Sequence, residues 1–123
     1  MTLVGLAFRK VGIPVEIEVA GDGDKAIAAL QRPSAHFSCV LLDIKLPTKT
    51  GLEVLKWIRS QPGLRRLPVV MLTSSELPKD INVAYDLGAN SYLVKPTSLE
   101  KLAALVQTIA HYWFNTNVPP IMD

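Results

Sequence analysis

Two kinds of apolar run alternate along the chain. Residues 40–44, apolar but for Asp43 near their end, and residues 69–72 are runs without alternation, the pattern of strands covered on both faces at the centre of a parallel sheet. Residues 15–20 instead alternate apolar with acidic side chains, which predicts a strand wet on one face near a sheet edge. The segments between them carry helical spacing. The turn Gly21-Asp-Gly-Asp24 leads into a helix with Ala26, Ile27, Ala29 and Leu30 on one side, and Leu52, Leu55 and Ile58, with Val54 beside them, predict a helix over 51–60 that Gln61-Pro-Gly63 ends. Residues 80–87 read as a helix closed by Gly88, and residues 91–94 as a short strand. Thr97-Ser-Leu-Glu100 has capping-box spacing and opens a last helix to about residue 114. Leu3, Leu6, Ala7 and Val11 predict a helix over 3–11, although an extended segment over 2–8 fits the same positions. The rhythm is that of βαβ units. It predicts one α/β domain over 1–123, with its core at about 3–114 and an irregular tail over 115–123 that contains Pro119-Pro120.

Length and composition narrow the function. At 123 residues, 49% of them hydrophobic, the chain can bury one sizeable core. No apolar stretch approaches the roughly 18 to 20 residues of a membrane helix, and the first twenty residues lack the order of a signal peptide. A cytoplasmic protein with no membrane partner is expected. Its 13 basic and 11 acidic residues are scattered, and a net charge of +2 exerts little pull on polyanions, so no nucleic-acid partner is expected. Lys56, Arg59, Arg65 and Arg66 gather around Trp57, which reads as a solvated helix end rather than a nucleic-acid patch. The single Cys39 sits in an apolar run and reads as a buried small side chain. Neither His36 nor His111 has a metal-ligating partner at suitable spacing. No Gly-rich phosphate loop and no hydrolase motif is present, and the chain is not expected to be an enzyme.

The chemistry lies at the ends of the strands. In a doubly wound parallel sheet, the carboxyl ends of the strands line the edge that binds ligands. Asp43 ends one core strand, Thr73 follows the next, and Lys95-Pro96 follows the last. Taken singly, a turn Asp, a capping Thr and a surface Lys are ordinary. A carboxylate, a hydroxyl and an ammonium on one rim suit a phosphoryl group, whose oxygens need charge-assisted hydrogen bonds while the carboxylate attacks phosphorus.

The blocks Leu-Leu-Asp43-Ile-Lys-Leu-Pro47, Gly51-Leu-Glu-Val-Leu55, Val-Met-Leu-Thr73-Ser-Ser75, Gly88-Ala89 and Tyr92-Leu-Val-Lys95-Pro96 resemble the signature of the response-regulator receiver domain. Ala7-Phe8-Arg-Lys10 and His111-Tyr-Trp-Phe114 are similar to the stand-alone receivers that serve bacterial phytochromes. The resemblance implies a flavodoxin-like doubly wound fold. It also implies that Asp43 accepts a phosphoryl group from a histidine kinase or phosphotransfer protein, that Thr73 and Lys95 bind its oxygens, that Tyr92 is the aromatic switch, and that Pro96 follows a cis peptide. A packing role for Tyr92 fits its strand position equally well.

One departure stands out. The family pattern places a magnesium-binding acidic pair, at the end of a central first strand, before the position that is Met1 here. The expectation is therefore an N-terminally truncated sheet, with magnesium held weakly or not at all by Asp43 and the backbone carbonyl of Lys45, and with impaired phosphorylation. Asp22 and Asp24 could supply carboxylates if their loop closes on Asp43, but a turn-and-cap role is favoured. The gap beside the core strands is expected to be filled by closure of the flanking strands, by residues 2–8, or by a second copy, of which a homodimer is favoured. The competing expectation is a binding or assembly protein that works without phosphate, or a truncated oligomer with no signalling activity.

Overall fold

The computed structural model describes residues 20–32, 37, 39–116 and 118. The elements, in chain order, are α1 (Gly23–Gln31), β1 (Val40–Leu42), α2 (Gly51–Ser60), β2 (Val69–Thr73), α3 (Pro78–Asp86), β3 (Ser91–Val94) and α4 (Leu99–His111), followed by a π-helical turn, Tyr112–Thr116. The expected helix over 3–11, the strand over 15–20 apart from Ala20, and the three expected ways of filling the sheet beside β1 lie outside the described residues.

Among the described residues the strands form a parallel sheet in the order β1-β2-β3. The register pairs Val40 with Val69 and Leu42 with Met71 on one side of β2, and Val70 with Ser91 and Thr73 with Val94 on the other. Every residue of β2 is buried, as its unbroken apolar run predicts for the middle of a covered sheet. Because side chains alternate across a strand, the sheet feeds two cores. Leu41, Val70 and Leu72 meet Leu102, Val106 and Ile109 of α4 on one face. Leu42, Val69 and Met71 meet Ala26 and Leu30 of α1, Val54, Leu55 and Ile58 of α2, and Ala84 of α3 on the other. Each fully buried aliphatic side chain contributes about 1.5 to 3 kcal/mol relative to exposure.

Local chemistry sets the boundaries. α2 and β3 lie where the pattern puts them. β1 ends at Leu42, short of the expected residue 44, because the next backbone groups turn to other partners: Gly51 N donates to Ile44 O at 3.0 Å and Lys45 N to Asp43 Oδ1 at 3.1 Å. α3 begins earlier than expected, with Pro78 in its first turn, where the missing N–H costs nothing. The expected capping box at the start of the last helix is corrected: Ser98, one residue after Thr97, accepts from Lys101 N at 3.1 Å. The capping box occurs instead at α2, where Thr50 and Glu53 exchange backbone-to-side-chain bonds of 3.2 and 3.3 Å. Asn115 and Thr116, expected in the irregular tail, belong to the π-helical turn. There the Tyr112 and Trp113 rings meet edge to face at 5.0 Å. No cis peptide occurs among the described residues, so the Lys95–Pro96 bond is trans and the cis expectation is corrected. Trans is the lower-energy form of X-Pro, and with it both Lys95 N and Lys95 Nζ find partners.

Candidate functional site

β1 and β2 deliver Asp43 and Thr73 to the same end of the sheet, and β3 delivers Lys95 beside them. Lys95 N donates to Thr73 O at 2.7 Å, extending the β2–β3 ladder by one rung. The Lys95 side chain then crosses the strand ends, and its Nζ stands 2.7 Å from Asp43 Oδ2. Both side chains of this pair are about four-fifths shielded, with 23% and 20% exposure. The other carboxylate oxygen, Oδ1, accepts from Lys45 N. Burial pushes the Asp43 carboxyl up, but it is outweighed by the Lys95 hydrogen bond, the Lys45 amide and the Lys95 charge, so the group titrates below its ordinary value. The Thr73 hydroxyl adds the smallest downward pull without reaching hydrogen-bonding geometry.

Among the described residues Thr73 is the buried polar residue of the core, at 0% exposure, and its Oγ1 has no hydrogen-bond partner. A buried hydroxyl left unpaired costs about 1 to 3 kcal/mol. The rim therefore holds a carboxylate, an ammonium and one unspent donor.

Tyr92 lies half-buried against the core cluster that also holds Met71 and Ala84. Its hydroxyl donates to Ser75 O at 2.9 Å, and Ser75 Oγ bonds Asp80 in the first turn of α3. Strand β3, the loop after β2 and α3 are thus linked through one phenol. Gly51 explains the tight start of α2: a Cβ there would collide with the Asp43 carbonyl.

Asp22 and Asp24 take the cap and turn roles. Asp22 Oδ1 accepts from Lys25 N at 2.8 Å, and Asp24 lies 3.6 Å from Lys49 Nζ. Among the described residues no group of three or more His, Cys, Asp or Glu could hold a metal ion. Among the described residues Asp43 is the carboxylate at the rim, and both its oxygens are engaged. Magnesium demands octahedral oxygen coordination, which the described donors at the rim fill only in part.

The sequence pattern misses Arg59, which it puts on a solvated helix end with Lys56, Arg65 and Arg66. Its guanidinium is half-buried and donates to Gly88 O at 3.0 and 2.8 Å, Leu67 O at 2.7 Å, Arg65 O at 3.2 Å and Asn90 Oδ1 at 2.9 Å. Asn90 Oδ1 also accepts from Val69 N at 2.8 Å. Carbonyl acceptors leave no trace in side-chain identity; Asn90 next to the start of a strand is the one signal that pointed here. Cys39, expected to be buried, is half-buried, and burial pushes its thiol up to about 12. No helix among the described residues is long and apolar enough to cross a membrane.

Residues 1–107 match the response regulator receiver domain. The chain is 39% identical to the response regulator Rcp1 of Synechocystis, an alignment covering 96% of this chain and 84% of the relative. It is 38% identical to the probable methanogenesis regulatory protein FilR2 of Methanothrix harundinacea, covering 96% and 79%. Among solved structures, the phosphorylated cyanobacterial phytochrome response regulator RcpA superposes with a TM-score of 0.89 at 35% identity, over 98% of this chain and 89% of the other. The Mn2+-bound form of Rcp1 gives 0.86 at 37% identity, over 98% and 90%. The fold is accordingly the flavodoxin-like α/β receiver fold, and the chain belongs to the response regulator receiver domain family.

Proposed function

We propose that this chain is the receiver module of a two-component phosphorelay, with Asp43 as phosphoacceptor from the phosphohistidine of a histidine kinase or phosphotransfer protein. The observation that carries this reading is the unpaired, fully buried Thr73 hydroxyl at the rim that Asp43 and Lys95 share. An Asp43 oxygen attacks phosphorus as the bond to the histidine nitrogen breaks, and the product is an acyl phosphate. Lys95 exchanges the carboxylate for phosphoryl oxygens, and Thr73 donates its free proton to one of them. Tyr92 is the switch residue: its hydroxyl bond to Ser75 O ties the moving loop to β3. The likeness to phytochrome response regulators supports a kinase of that type.

Magnesium, if held, is held weakly by Asp43 and the Lys45 carbonyl, and phosphorylation is correspondingly slow. A second copy of the chain is the further partner, and the exposed apolar side chains of Tyr85, Val94 and Leu99 on α3, β3 and α4 support it. That Asp43 is the one carboxylate at the rim among the described residues also favours a second reading, a receiver scaffold that binds its partner without phosphate.

Intact-mass measurement after incubation with acetyl phosphate and magnesium tests both. The expected result is a slow, substoichiometric gain of one phosphoryl group that Asp43→Asn abolishes. No gain, either here or with a phosphorylated histidine kinase, overturns the phosphoacceptor reading in favour of the second. A stoichiometric gain overturns the impairment, and a gain that persists in Asp43→Asn overturns the site.

A further inference from the structure

Residues 44–50 connect Asp43 to α2, and one of them is in an unusual conformation. Thr48 has φ of 65°, the left-handed region that glycine and asparagine enter easily and a β-branched residue does not. Such an outlier persists only where its surroundings over-determine it. Here they do. The Thr48 hydroxyl accepts from Asp24 N at 3.0 Å and donates to Asp22 Oδ1 at 3.3 Å. The same segment is held by its backbone: Gly23 N donates to Pro47 O at 2.9 Å, and Lys49 N to the same oxygen at 2.8 Å. Gly23 is buried, and a Cβ on it would strike the Lys49 carbonyl, so the start of α1 and the segment are in closest backbone contact.

This clasp sits on the segment that leaves the candidate phosphoacceptor. Lys45 N bonds Asp43 Oδ1 at one end, and at the other Gly51 N bonds Ile44 O and Gly51 packs so close that a Cβ would strike the Asp43 carbonyl. We propose that Thr48 is a positioning residue, whose hydroxyl clasp to the start of α1 holds residues 44–50 closed and so keeps the Lys45 amide on the Asp43 carboxylate. The clasp does not touch the reacting atoms. Its relevance to phosphoryl transfer rests on Asp43 being the phosphoacceptor, while its structural effect does not. The strained threonine is explained on this basis by the hydroxyl, which neither glycine nor alanine supplies.

Amide hydrogen exchange followed by NMR tests the clasp. Thr48→Gly relieves the backbone strain but removes the hydroxyl, and Thr48→Ser keeps it. With rates referred to the core amides of Val70 and Leu72, the Lys45 and Gly51 amides are expected to exchange about tenfold faster in Thr48→Gly and at the original rate in Thr48→Ser. Acceleration confined to Gly23 and Asp24, or equal acceleration of the core amides, would reduce Thr48 to a local or general stabiliser and overturn the proposal. Should Thr48→Gly not fold, Asp22→Ser keeps a cap for the Lys25 amide while shortening the arm toward Thr48, and the same amides are read. Initial rates with acetyl phosphate form a second arm, expected to fall in Thr48→Gly and recover in Thr48→Ser. No uptake by the unaltered chain counts against the phosphoacceptor reading and leaves exchange to decide the clasp.

Discussion

The two ends of the sheet each hold a partly buried cation, and they use it in opposite ways. At the amino end, the Arg59 guanidinium spends its donors on three backbone carbonyls and the Asn90 amide, all neutral acceptors fixed by the fold. At the carboxyl end, Lys95 is paired with one ionised side chain while a neighbouring buried hydroxyl goes unpaired. Saturated polar groups mark a fastening, and an unsaturated one marks a place kept for something else. On the proposed function, the contrast separates structural from working chemistry.

The sharpest way to break the contrast is at the fastening. Arg59→Ala leaves several carbonyls without donors and is expected to cost about 3 kcal/mol, read as a lower urea midpoint at unchanged slope. A loss below about 1 kcal/mol would mean that water replaces the guanidinium at no penalty and that the end is not a fastening.

The working end should be less costly to disturb. Lys95→Ala is expected to destabilise by about 1 to 2 kcal/mol at neutral pH, because Asp43 keeps its burial but loses its main partner. The pH dependence has a definite sign. In the unaltered chain the Asp43 carboxyl titrates below 3.8. Its ionised form therefore stabilises the fold above that value, and this contribution disappears as pH falls through the lower folded value. In Lys95→Ala the carboxyl rises and this acid-limb loss shrinks, as paired urea titrations at neutral and acid pH would show.

Thr73→Val is the most informative change, since it removes the unpaired hydroxyl and keeps the shape. Its expected effect on stability is between zero and a gain of about 1 kcal/mol, with impaired phosphoryl uptake at Asp43. A clear loss of stability would show that the hydroxyl already has a partner, and the contrast would fail. The smallest effect belongs to Cys39: with its thiol pushed to about 12, it should resist a disulfide reagent at pH 8 in the folded state and react once urea is added.

Much of the architecture was legible because burial writes itself into residue type. The unbroken run of β2 announced a strand hidden on both faces, and the spacing of Leu52, Leu55 and Ile58 fixed α2. What the pattern could not carry was backbone bonding. β1 stops at Leu42 because Ile44 O serves Gly51, the last helix starts at Leu99 because Ser98 rather than Thr97 caps it, and Arg59 turns inward because carbonyl oxygens, present at every residue, accept from it there. At the site, the residue types and their places at strand ends could be read off. That both Asp43 oxygens are engaged, and that Thr73 Oγ1 is not, could only be seen in three dimensions.

Helix α3 buries one residue, Ala84, and its first turn has no side-chain cap. Its grip on the sheet is therefore the weakest of the four described helices, and lifting it away exposes little greasy surface to water. On the proposed function, a shift of the loop beside Tyr92 swings this rod while everything around β2 stays put.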